Sequence, residues 1–129
     1  MIECDKSTVS LLEDDILLIS VNSSDDFNLL DYKEVRLASM RLAHNKQVFS
    51  LINLGDTTIP NQQAREACAT DTGNGCVIAE AIIVKTLGQR IVARDLLKAK
   101  RKQIPAKLFT SMDKAMIWIK RLKQDFNMN

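Results

Sequence analysis

The sequence predicts an α/β domain in which helices pack on a single mixed β-sheet, in the order β-β-α-β-α-β-α-β-α. Three observations carry this expectation. Short apolar runs rich in β-branched residues alternate with stretches of helical period, and such alternation folds as a sheet with a parallel part because parallel neighbours need helical crossovers. The length of 129 residues suits one domain, residues 1–129, around a single core. In the C-terminal segment Ala115, Trp118, Ile119, Leu122 and Phe126 follow one helical stripe, while Lys114, Lys120, Arg121 and Lys123 fall largely on the other side.

Along the chain, Ser7 to Glu13 alternates loosely, Asp14-Asp15 reads as a turn, and Ile16 to Val21 is almost wholly apolar, so a β-hairpin is expected. Asn22 to Asp26 is loop by composition. Asp31 and Glu34 have capping-box spacing and predict a helix over Tyr32 to His44, with Val35, Ala38 and Leu42 inward and Arg36 and Arg41 outward. Gln47 to Leu54 predicts a central strand covered on both faces. Pro60 suits the first turn of a helix that continues from Asn61 to about Thr70, with Ala64, Ala67 and Cys68 facing in. Asp71 to Gly75 ends it, and Cys76 to Val84 returns to strand character. From Thr86 a further helix carries Val92, Leu96 and Ala99 on one stripe and Arg90, Arg94 and Lys98 away from it. Pro105 breaks that segment, Ala106 to Phe109 forms a last strand, and Thr110 with Asp113 caps the final helix.

Composition narrows the function classes. A hydrophobic fraction of 46% and a charged fraction of 26% describe an ordinary globular chain, and an aromatic fraction of 5% makes the interior aliphatic. The N-terminus has acids where a signal peptide needs bases, and the apolar runs fall far short of the ~20 residues that span a bilayer, so a soluble, cytoplasmic protein without a transmembrane segment is expected. Cys4, Cys68 and Cys76 are an odd number without CxxC spacing, which reads as reduced, packed thiols. The sequon at Asn22-Ser23-Ser24 is then a coincidence. Residues 1–84 hold 6 Lys/Arg against 13 Asp/Glu (−7), and residues 85–129 hold 12 against 3 (+9). That asymmetry suits either internal neutralisation or a dipolar docking surface.

The ending IPAKLFTSMDKAMIWIKRL, preceded by an apolar strand and a basic helix, closely resembles that of the STAS-like, or SpoIIAA-like, proteins of bacteria. Those proteins close on a short strand reaching Phe, a small polar cap and a helix with an Ala-x-x-Trp-Leu type stripe, which here reads Ala115-Met116-Ile117-Trp118-Ile119. The likeness covers most of the chain in element order and is strongest from Cys76 to Leu122. It implies a STAS-like domain that acts by docking to other proteins, and it carries no catalytic fingerprint. In the regulatory members an Asp-Ser-Ser-Gly segment after strand three opens a helix, and one of its serines is phosphorylated to break binding to a partner. The matching positions here are Asn61-Gln62-Gln63-Ala64, where amides stand in place of the acceptor, so the phospho-switch is not carried over. Thr57 and Thr58 are offset from it.

Other candidate sites each have a plainer reading. Asp71-Thr72-Gly73 has the spelling of an aspartic-protease loop but follows a helical segment, which favours a helix end with Gly73 at positive φ. Gly73-Asn74-Gly75 matches no phosphate-cradling motif. His44, the sole histidine, falls near a helix C-terminus, where the dipole favours a cation, and lacks companions for a metal or a triad. The run Lys98, Lys100, Arg101, Lys102 and Lys107 could meet a polyanion, although without interleaved aromatics it reads better as a solvated helix end. The loop from Gly55 to Asn61 meets a helix N-terminus, and Asp56, Thr57, Thr58 and Asn61 are its candidate binding residues, with helix capping as their plainer role.

The leading expectation is therefore a non-catalytic interaction or regulatory module of unidentified pathway. It has an unidentified protein partner, pairs as a homodimer, uses no cofactor or metal, and does not bind nucleic acid. The alternative is a carrier of a small molecule or lipid, with an apolar pocket between sheet and helices.

Overall fold

The computed structural model describes residues 1–22, 26–71 and 75–128. The elements are β1 Ile2–Glu3, β2 Ser7–Leu12, β3 Ile16–Val21, α1 Leu29–Ala43, β4 Val48–Asn53, α2 Gln62–Thr70, β5 Val77–Ile83, α3 Leu87–Lys100, β6 Ala106–Phe109 and α4 Met112–Met128. They form one mixed sheet whose spatial order, β1-β2-β3-β4-β5-β6, is the order of the sequence. The first two pairings are antiparallel and the next three are parallel.

The hairpin closes with Leu12 opposite Ile16, and Asp14 and Asp15 take left-handed backbone angles (φ 64° and 57°) in the turn between them. Aspartate tolerates that region better than most side chains. β1 is an addition to the expected order. With two residues pairing Ile2 to Val9 and Glu3 to Thr8, it is too short to leave a period in the sequence.

Strictly sequential order has a structural consequence. Each parallel crossover advances one strand in the same direction, and because such crossovers are right-handed, the three helices they contain lie on one face of the sheet. Accordingly Val35 and Ala38 of α1, Ala64 of α2, and Ala93 and Leu97 of α3 share a core with Leu17, Ile19, Val48 and Ile82. α4, which follows the last strand, covers the other face. There Ala115 and Ile119 pack on Ile16, Phe49, Leu51, Ala79, Ala81 and Ile83. Alternate residues of β3 and β4 feed the two cores, as the pleat requires. The register between β4 and β5 slips at one place, Val48 facing Val77 and Phe49 facing Ala79. Ile78 is thereby the extra residue of a bulge, and it packs against the α4 core.

Four local expectations change. The α1 capping box is Asn28 with Asp31, not Asp31 with Glu34: Asn28 Oδ1 accepts from the Leu30 and Asp31 N–H groups, and Asp31 Oδ2 accepts from the Asn28 N–H. Asp31 also pairs with Lys6 at 2.8 Å. Burial alone would raise its carboxyl, but the Asn28 N–H and the Lys6 ammonium outweigh that and hold it below the usual range. Pro60 stays outside α2, bridging to Phe27, and Asn61 is the N-cap. On α3 the fully buried stripe is Gln89, Ala93, Leu97 and Lys100, one position on from the predicted one, and Val92, Leu96 and Ala99 are only half-buried. On α4 the Lys114 N–H is met by Ser111 Oγ at 3.3 Å, one residue after the predicted Thr110.

Within α4, Ala115 and Ile119 are fully buried. Trp118 is half-buried, its ring centre 5.5 Å from that of Phe109, and Phe126 is exposed at the rim with its ring centre 6.2 Å from that of Phe49 in a T-shaped contact. No described helix is long and apolar enough to cross a membrane.

Candidate functional site

Two features of the helix-rich half carry chemistry: the loop edge where β4 and β5 end, and a cavity beneath α1, α2 and α3. In open α/β sheets, ligand-contacting groups gather beyond the carboxyl ends of parallel strands, because the loops and helix N-termini converge there.

At the loop edge, Gly55 takes φ 75°, and its N–H donates to Asn53 Oδ1 at 3.0 Å. The four candidate residues divide into two pairs. Asp56 and Thr57 are exposed, Asp56 pairing with Lys85 at 2.6 Å. Thr58 is fully buried, its hydroxyl donating to the Asn22 carbonyl at 3.3 Å, and Asn61 Oδ1 caps α2 by accepting from the Ala64 N–H at 3.0 Å. Sequence reasoning missed the residue that organises this edge, Gln89. Its buried amide donates to the carbonyls of Gly55 (3.1 Å) and Thr58 (3.0 Å) and accepts from the N–H groups of Lys85 (2.7 Å) and Thr86 (3.2 Å). One side chain thus satisfies both loops. Ile59 lies over Gly88, where an added Cβ would meet its Cδ1 at 3.0 Å. Ile59, Leu87 and Ile91 are exposed around that contact and make a small apolar surface beside the Gln89 hydrogen bonds.

The basic run divides between surface and interior. Lys98, Arg101, Lys102 and Lys107 are exposed, Arg101 Nε donating to the Ala106 carbonyl at 2.9 Å and the Lys107 ammonium standing 5.6 Å from the Phe109 ring centre. Lys100 is a correction. It belongs to the inward stripe of α3, is 5% exposed, and makes a contact ion pair with Glu80, also 5% exposed, in the middle of β5.

That pair lies at the wall of a cavity of about 120 Å³ between the sheet and the three helices. Ile19, Ile52, Ile82, Ala64 and Leu96 supply part of its apolar lining, and Ser50, Cys68, Glu80 and Lys100 its polar one. Ser50 and Glu80 are neighbours in the register of β4 and β5. Tyr32, Arg36 and Asp71 line the cavity from α1 and the end of α2. The Tyr32 hydroxyl donates to Asp71 Oδ2, which also pairs with Arg36 Nε at 2.8 Å. Arg36, expected to point outward, is turned in by this pair.

Burial and ion pairing set the protonation of the groups that line the cavity. Burial pushes the Cys68 thiol up to about 11, against the opposing charge of Lys100, so it is protonated near neutrality. Burial would lower the Lys100 ammonium, but the Glu80 carboxylate outweighs it and holds Lys100 above its ordinary value. Burial and the Asp71 hydrogen bond likewise keep the Tyr32 phenol protonated. Among the described residues no group of His, Cys, Asp and Glu could hold a metal ion.

Glu80 did leave a signal in the sequence, as the lone acid inside the apolar run from Cys76 to Val84. The Asp71-Thr72-Gly73 reading is only partly placed: Asp71 is the C-cap of α2, and residues 72–74 lie outside the described residues. His44 is the left-handed C-cap of α1, φ 49°, and is exposed.

A family model described as a domain of unknown function, DUF7793, matches residues 10–123. No curated protein and no solved structure matches the chain.

Proposed function

We propose that this chain, which belongs to the DUF7793 family, acts as a non-catalytic protein-interaction module that docks through the edge formed by the Gly55 to Asn61 loop and the N-terminus of α3. The observation that carries the reading is the exposed trio Ile59, Leu87 and Ile91, held on the four-bonded Gln89 amide and bordered by the Asp56–Lys85 ion pair. Apolar anchors on a preorganised base lose little conformational entropy on binding, and a charged border steers and orients a partner. The resemblance of the C-terminal segment to STAS-like proteins supports the same reading, as does the protonated, ion-paired state of the buried groups. A cytoplasmic setting and homodimer formation belong to this proposal. Purification from the host with wild type and with the double variant Leu87→Asp/Ile91→Asp tests it. A specific protein partner lost from the double variant, yet retained when Lys98, Arg101 and Lys102 are reversed to Glu, is the expected result. A partner kept by the double variant, or nucleic acid as the only companion, overturns it. Light scattering that shows a strict monomer at high concentration removes the homodimer.

A second reading, a carrier of a small apolar molecule, is favoured by one observation: the cavity between sheet and helices. Native mass spectrometry of the host-purified protein is expected to retain a ligand mass if it holds.

A further inference from the structure

Resting on the carrier reading, we infer that the cavity is a binding site for an uncharged, ring-sized molecule with an apolar body and one hydroxyl group. Size sets the first limit. A volume of about 120 Å³ is close to that of the engineered apolar cavity of ~150 Å³ that takes up benzene. A body of about six to eight heavy atoms fits that space, and a lipid chain does not.

The polar wall sets the second limit. Glu80 and Lys100 both line the cavity, and each side chain is 5% exposed. Glu80 Oε2 is in ion-pair contact with the Lys100 ammonium and accepts no hydrogen bond from any other described residue. A carboxylate oxygen with one ionic partner has a lone pair open to a second donor. A ligand hydroxyl answers both groups at once, its hydrogen going to Glu80 Oε2 and its oxygen accepting from the Lys100 ammonium, which has three donors. Charged ligands fit badly. A carboxylate would place a second anion beside Glu80, and an ammonium a second cation beside Lys100, each desolvated in an apolar chamber. The hydroxyl therefore sits at the β5 side, and the body rests against Ile19, Ile52, Ile82 and Ala64. The thiol of Cys68, protonated as it is, lines the site without reacting, so binding is reversible.

Separate titrations of ¹⁵N-labelled full-length protein with phenol, benzene and octanoate test this. Phenol is expected to shift the amides of Cys68, Glu80, Ile82 and Lys100 saturably and to bind about tenfold tighter than benzene, the equivalent of one hydrogen bond to a charged group. Octanoate is expected to leave them unmoved. Equal affinity for phenol and benzene overturns the role of the Glu80–Lys100 pair. Octanoate binding in preference to phenol overturns the ligand class while leaving the carrier reading intact, and no binding by any probe removes both. In addition, Ala64→Leu fills the chamber and is expected to abolish the phenol shifts in a folded protein. Should that variant not fold, the wild-type shift map decides, because phenol shifts confined to residues outside the cavity lining overturn the site.

Discussion

Beneath α4 the sheet presents Ile16, Phe49, Leu51, Ala79, Ala81 and Ile83, met by Ala115 and Ile119, an apolar cluster among the described residues. Beneath α1, α2 and α3 the same central strands present Ser50 and Glu80 among their aliphatic residues, and the helices answer with Cys68 and Lys100 around a cavity. Small residues let one helix lie close on the first face, where dispersion and burial act without competing charges. Three helices spanning the second face leave room at their meeting point, and the ion pair occupies its wall. The difference teaches that one face is built for packing and the other holds a charged pair whose partners depend on each other. A buried pair of that kind contributes little net stability, but losing one member is costly.

The comparison breaks first at that pair. Lys100→Met leaves the Glu80 carboxylate buried without its counter-ion and is expected to cost about 3–5 kcal/mol by denaturant unfolding. Adding Glu80→Leu should recover most of the loss, since two apolar residues restore a consistent interior. If the double variant is no better than the single one, the two faces do not differ as described.

On the α4 face the cost should track volume alone. Ile119→Ala is expected to lose about 3 kcal/mol, and Trp118→Ala, with its ring half-buried on Phe109, about 2 kcal/mol, both read as shifts in urea midpoint at constant slope. Rescue of either by a second polar substitution would contradict a purely apolar core.

Sequence patterns reached these two faces unequally. β3, β4 and β5 were legible as short apolar runs with β-branched residues, and Ala106–Phe109 matches its expected limits, whereas β1 was too short to read. The α4 stripe was legible because its apolar residues repeat at helical spacing beside lysines. The ion pair was not, for two reasons. Lys100 sits within Lys98-Ala99-Lys100-Arg101-Lys102, where neighbours of the same charge hide the one residue turned inward, and its partner is on another element. The α3 stripe was misplaced because Gln89 and Lys100, both polar, occupy buried positions that a count of apolar residues assigns to solvent. Gln89 could have been suspected only from its place three residues after Thr86, a capping-box spacing. The loop residues do lie between β4 and α2 as expected, but a loop's composition does not tell an exposed threonine, Thr57, from a fully buried one, Thr58.

The smallest expected effect is pH dependence, and it too belongs to the three-helix half. Asp31 titrates below its ordinary value of 3.8, so its stabilisation is complete above that pH and is lost as pH falls through the lowered value. Lys100 titrates above 10.5, so its contribution is complete below that pH and is lost as pH rises through the folded value. Between pH 9.0 and about 11 the folded Cys68 keeps a proton that the unfolded chain releases, so stability also declines with rising pH there. Thermal melts across pH are expected to show an acid limb that flattens in Asp31→Asn and an alkaline limb that flattens in Cys68→Ala. Ile119→Ala should displace the whole profile without changing either limb.

Because α4 follows every strand in the chain, the ribosome delivers the whole sheet before the helix that shields its second side. Until α4 docks, a newly made sheet holds Phe49, Leu51 and Ile83 bare to water, a sticky surface of the sort that chaperones seize and that joins to like surfaces on neighbouring chains. Disrupting the apolar stripe of α4 should therefore lower the yield of native protein through aggregation of the open sheet.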